Sequence, residues 1–179
     1  MLWLVMLAAM VGCPPPGPNA AQGELEMSEQ DPRPVDERQR LLAELAPGVV
    51  VSVRLGVENF RSGEITLTVG GDGAVRVLQR KSGAERTFET TWPRDRLDAL
   101  GAEFAALGFC DLTAIPGGRK PGDTPMRIAL VKDGTAVCEA DLWHGDRYKN
   151  QPLDALIKRY DAVVSEVSGG VLPFERPAP

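Results

Sequence analysis

Residues 65–77, Ile65-Thr66-Leu67-Thr68-Val69-Gly70-Gly71-Asp72-Gly73-Ala74-Val75-Arg76-Val77, decide the fold. Ile65, Leu67 and Val69 alternate with Thr66 and Thr68, so one side of the segment is apolar and the other polar. A period of two with β-branched residues is the pattern of a half-buried strand. Gly70-Gly71-Asp72-Gly73 then supplies residues that tolerate positive φ, as a tight reversal requires. Val75 and Val77 resume the alternation, so the segment reads as a β-hairpin.

Working outward, Val49, Val51, Val53 and Leu55 alternate with Val50, Ser52 and Arg54. They form a strand before the hairpin, and Arg86 to Thr90 around Phe88 forms one after it. Met126 to Val131 and Thr135 to Leu142 make a second hairpin closed by Asp133-Gly134. Two helices interrupt the strands. Pro93 suits a first helical turn, and Leu97, Leu100, Phe104 and Leu107 recur at helical spacing up to Gly108. Pro152 opens the second helix, where Leu153, Leu156, Ile157, Tyr160, Val163, Val164 and Val167 form one stripe before Gly169-Gly170. Asp154 and Lys158 can pair on its wet side. The order β-β-β-β-α-β-β-α predicts a two-layer α+β fold, with about six antiparallel strands and two amphipathic helices on one face.

The N-terminal stretch Met1 to Cys13 (MLWLVMLAAMVGC) carries no charge. Residues 2–11 are ten apolar side chains, short of the ~20 needed to span a bilayer and suited to a signal-peptide core. Met10-Val11-Gly12-Cys13 resembles the bacterial lipobox. That resemblance implies residues 1–12 as a signal peptide and Cys13 as the lipidation site. The lipid would be a thioether-linked diacylglycerol, usually with a third acyl chain, and two or more chains hold a protein stably to a membrane. The expected location is the cell envelope, facing the periplasm or the exterior. Pro14 stands where an aspartate marks inner-membrane retention in some bacteria, which points to the outer membrane.

Residues 14–40 have no apolar periodicity. Six acidic residues against three basic ones leave them at −3. Such a segment buries too little apolar surface to offset the entropy of ordering. Residues 13–40 therefore read as lipidated cysteine plus disordered tether, spanning ~30 Å as a coil. The globular domain is placed at 41–172, with a disordered tail at 173–179. The whole chain carries −5, which leaves −2 outside the tether. That balance excludes a nucleic-acid partner, which needs a basic face. The membrane, through the lipid, and a protein are the partners expected.

Asp72-Gly73-Ala74-Val75 in an early hairpin and Gly108-Phe109-Cys110-Asp111-Leu112 after a helix, followed by a later hairpin and a terminal helix, also resemble small bacterial domains of unknown function. In layout they are similar to the emfourin family of protease inhibitors. The resemblance implies a fold and a possible inhibitor role, and carries no site residues.

With Cys13 assigned to lipid, Cys110 and Cys138 remain in an oxidising compartment. They are either paired or two separate buried thiols, and a disulfide is the expectation. Their spacing is not that of a CxxC redox or zinc motif. Cys138 is placed on the core side of its strand with Ala136, Ala140 and Leu142. Val137, Glu139 and Asp141 are placed opposite, on a solvated face.

His144 is the only histidine, so any Ser-His-Asp, Cys-His or imidazole-zinc site must use it. It lies in Trp143-His144-Gly145-Asp146-Arg147-Tyr148-Lys149, between a strand and a helix. Trp143, His144, Arg147 and Tyr148 form a candidate binding surface, since they combine aromatic and basic groups of the kind enriched in hot spots. Gly117 to Thr124 (GGRKPGDT) lacks the lysine that a phosphate-binding loop needs directly after the second glycine of its pattern. Asp123, after Gly122, stands there and would repel phosphate, so no nucleotide is expected. No catalytic residues, metal or cofactor are assigned. The sequence points to a lipid-anchored, non-enzymatic binding or accessory module. A protease inhibitor and a small hydrolase centred on His144 and Asp146 are the alternatives.

Overall fold

The computed structural model describes residues 35–59, 63–117 and 121–170. The expected signal peptide, the expected lipidation site Cys13, the expected tether up to residue 34 and residues 171–179 lie outside them. The described residues contain α1 (Val35–Glu44), β1 (Val49–Gly56), β2 (Glu64–Gly70), β3 (Ala74–Lys81), β4 (Ala84–Thr91), α2 (Arg94–Ala106), β5 (Pro125–Lys132), β6 (Thr135–Trp143) and α3 (Gln151–Val167). Short 3-10 turns cover Phe109–Asp111 and His144–Tyr148.

All neighbouring strands are antiparallel, in the order β4-β3-β2-β1-β5-β6. The fold is the α+β arrangement that the alternation implied. Val49, Val51 and Val53 of β1, Ile65, Leu67 and Val69 of β2, and Met126, Ile128 and Leu130 of β5 are buried together with the helix stripes in one core. The alternate residues, a mixture of polar ones with Val50, Ala129 and Val131, face the other way, and among the described residues no helix covers that outer face.

The turns follow from backbone sterics. Ser82 and Gly83 have φ of 50° and 80°, and Asp133 and Gly134 have 49° and 80°. Both are two-residue reversals with positive φ at both central positions, matched to strand twist. In the β2–β3 reversal, the Gly73 amide donates to the Gly70 carbonyl at 3.0 Å and Asp72 Oδ1 accepts from the Ala74 amide at 3.0 Å. Gly71 is required for a different reason. A Cβ there would meet the Ala46 carbonyl oxygen at 2.0 Å.

In α3, Asn150 caps the N-terminus by accepting from the Leu153 amide at 3.1 Å, a standard role for asparagine. Six of the seven stripe residues are fully buried, and Val167 is half-buried.

Two expectations are corrected. The sequence reading has two helices and a tether running to Arg40, whereas a third helix begins at Val35. Its charged first turns hide it from an apolar count. It is held by Leu41, Leu42 and Leu45, all buried, and by contact with α2 rather than by any long stripe of its own. Gly101 makes that contact possible, since a Cβ there would lie 2.1 Å from the Leu42 carbonyl oxygen. Arg94 Nη1 donates to the Leu45 carbonyl at 3.0 Å and finishes the helix.

The second correction concerns β6. A bulge shifts the register between Leu130 and Val131, so Cys138 opposes Leu130 while Ala136 opposes Val131. Val137 is the extra residue. It turns into the core and Ala136 turns out, because a bulge resets the period of two. Beyond the bulge the expected faces hold: Ala140 and Leu142 look inward, Glu139 and Asp141 outward.

Candidate binding site

The junction of β6, the His144–Tyr148 turn and α3 carries the residues singled out as a binding surface. The structure divides them. His144 and Arg147 come together, with Arg147 Nη1 3.2 Å from His144 Nε2. A guanidinium has only donors, so this is a hydrogen bond when Nε2 is unprotonated. Arg147 Nε and Nη2 both reach Asp154 Oδ1 at 2.6 Å, and Lys158 Nζ reaches Asp154 Oδ2 at 2.8 Å. The hydrogen bonds from Lys158 and then Arg147, with their charges, hold the Asp154 carboxyl below the usual carboxylate range. Arg147 and Asp154 therefore lock the turn onto the first part of α3.

Asp146 is 9% exposed, and its Oδ2 accepts the Ile115 amide at 3.0 Å. Asp123, which stands where a phosphate loop would need lysine, has a structural role. Its Oδ1 accepts the Gly145 and Thr124 amides, each at 2.9 Å. Two carboxylates thus stitch the long β-to-turn connections together through backbone N–H groups. Among the described residues, no group of His, Cys, Asp and Glu side chains is arranged to hold a metal ion.

Trp143 belongs to another surface. Gly56, Pro125 and Trp143 mark one end of the outer sheet face, where a groove of about 260 Å³ is also lined by Arg54, Glu64, Arg127 and Asp141. Arg54 and Arg127 are direct cross-strand partners in the β1–β5 register. Two like charges placed opposite each other would destabilise a sheet, and carboxylates on the flanking strands offset them. Glu64 lies 4.0 Å from Arg54. Glu139 lies 2.7 Å and Asp141 3.9 Å from Arg127. The Glu139 hydrogen bond, then the charges of Glu139 and Asp141, raise the already high Arg127 pKa. The result is a shallow, charge-alternating groove with one indole at its end. Tyr148, at 76% exposed, projects into solvent from the neighbouring turn.

Sequence reading thus finds Trp143 and misses Arg54, Arg127 and Glu64. Each of these sits at an outward position of a strand whose alternation is legible. What the alternation cannot supply is that β1 and β5, far apart in sequence, are neighbours.

Cys110 and Cys138 stand at disulfide distance, with Cα atoms 5.6 Å apart. The pair ties the turn after α2 to strand β6. Next to it Phe109 is fully buried and stacks on Phe104, with centroids 5.4 Å apart.

Compared with protein-family models and with curated protein sequences, the chain matches none.

Proposed function

We propose that this protein is a lipid-anchored, extracytoplasmic, non-enzymatic binding or accessory module that engages a protein partner through its uncovered sheet face. The observation that carries the reading is that face itself. Helices seal one side of the sheet, while the other presents Trp143 beside paired arginines and carboxylates in an open groove. Aromatic and arginine side chains are the groups on which protein interfaces concentrate their binding energy. A shallow groove with balanced charge suits a polar protein surface better than a small apolar ligand, which needs a deep enclosed site.

Two further features support the location. Cysteines at disulfide distance suit an oxidising compartment. The lipobox-like Met10-Val11-Gly12-Cys13 would supply the anchor. His144 and Asp146, the centre of the hydrolase alternative, contact Arg147 and the Ile115 amide respectively.

Intact-mass analysis of native membrane-derived protein tests the anchor. The expected species begins at Cys13 and carries diacylglycerol and acyl mass. A polypeptide beginning at Met1 without lipid overturns it. For the binding role, a photo-crosslinking residue at position 143 is expected to capture a discrete envelope protein in intact cells, whereas one at Ala102 on the outer side of α2 captures none. Equal labelling from both sites, or His144-dependent hydrolysis of ester, peptide or glycoside substrates by the purified protein, refutes the reading.

A further inference from the structure

The two edges of the sheet are finished differently. At one edge, β6 is tied by the Cys110–Cys138 pair to the turn after α2. At the other edge, β4 pairs only with β3 among the described residues. Seven of its eight residues are exposed on whichever face they lie, and only Phe88 is half-buried. Phe88 alone packs against the core on the helical side.

The backbone of β4 has a defined orientation. The Trp92 amide donates to the Gly73 carbonyl at 2.9 Å, so even-numbered residues of this strand hydrogen-bond toward β3. Alternation in an antiparallel ladder then turns the N–H and C=O groups of Glu85, Thr87, Glu89 and Thr91 to the free edge. None of these groups has a protein partner among the described residues. Edges of this kind are commonly blunted by charge. Here the two acidic side chains are already drawn inward. Glu85 lies 3.0 Å from Arg80, and Glu89 lies 3.3 Å from Arg76, both on β3.

We propose that β4 is a self-association edge, at which two copies of this chain pair their β4 strands antiparallel with Phe88 opposite Phe88. The occupant follows from symmetry and charge. A two-fold axis perpendicular to the sheet brings a strand against itself with both faces preserved. The outward groups must meet outward groups, so odd-numbered residues pair with odd-numbered ones. With Phe88 on the axis, Thr87 meets Glu89 of the second copy and Glu85 meets Thr91. Each such pair closes two hydrogen bonds, and no like charges oppose. Shifting the register by two residues in one direction sets Glu85 against Glu89, twice. Shifting it the other way sets Glu89 against itself. The Phe88 pair falls at a non-hydrogen-bonded position, where side chains approach most closely.

The interface is a strand pair plus Phe88, smaller than a standard stable interface, so the dimer is a weak one. Its formation does not depend on the lipid anchor. Anchoring both copies to one membrane would raise their effective concentration.

Sedimentation of the purified full chain in density-matched detergent, across a range of concentrations, tests this. The expected result is a monomer–dimer equilibrium. Thr87→Lys places a cation opposite Glu89 of the other copy twice and tightens the dimer about tenfold, while Thr87→Glu places like charges there and weakens it about tenfold or more. Thr87→Pro removes an edge donor without touching the β3 ladder and abolishes dimers with circular dichroism unchanged. A monomer at every concentration overturns the proposal. So does a shift in the same direction for the Lys and Glu variants, because only this register sets position 87 against Glu89.

Discussion

Removing the cysteine pair is the perturbation whose size is best defined. Cys110 and Cys138 are 28 residues apart in sequence. Cross-linking them removes loop-closure entropy from the unfolded chain. The chain-entropy relation, applied to a loop of that length, gives about 3.6 kcal/mol at 25 °C. For a domain of about 135 residues, the usual unfolding entropy per residue converts that loss into a fall in melting temperature of about 12 °C. The variant is Cys110→Ala with Cys138→Ala, which leaves no orphan thiol beside the Phe104–Phe109 stack. Both proteins are unfolded in urea and by heat, without reductant. Wild type with reductant is expected to follow the variant. The reasoning is refuted if the double variant loses less than about 1 kcal/mol, a value far below the loop-closure term. It is equally refuted if both wild-type thiols are alkylated without reductant.

Gln79 is 3% exposed, and among the described residues neither its Oε1 nor its Nε2 has a hydrogen-bond partner. Gln79→Leu is therefore expected to stabilise the fold by about 1–3 kcal/mol, the desolvation cost of unpaired polar atoms; a loss of stability in denaturant titration contradicts this. Gly101→Ala in α2 would gain about 1 kcal/mol on helix propensity alone. The Leu42 carbonyl oxygen, 2.1 Å from the added Cβ, reverses the sign, and calorimetry should show a lower melting temperature. Asp154 has a depressed pKa in the folded state, so its carboxylate stabilises the protein above the ordinary value of 3.8. That contribution fades as pH falls below it, through the folded pKa. Asp154→Asn should flatten the stability profile in that acid window, and an unchanged profile argues against the Arg147–Asp154–Lys158 lock.

Much of this fold is legible locally. The alternation in 65–77, the Asp133-Gly134 reversal and the α3 stripe each declare a local geometry, because side-chain direction repeats every two residues in a strand and near every 3.6 in a helix. Helix α1 does not declare itself. Leu41 and Leu42, with Leu45 just past its end, cover about one turn, and its stability comes from seating against Gly101. The Val137 bulge is equally silent, since inserting one residue changes which face is apolar without leaving a mark in composition. At the groove, Trp143 stands out as an aromatic residue in a polar connection. Arg54 and Arg127 look like ordinary solvated strand positions until the β1–β5 pairing sets them side by side.

By itself the sequence determined the class of the domain and the faces of most strands and helices, because those depend on periodicity and residue chemistry within a few neighbours. Only the tertiary structure decided the strand order, the third helix, the groove at Trp143 and the edge position of β4. Each of these is a contact between segments distant along the chain, and local pattern carries no information about which distant surface a face will meet.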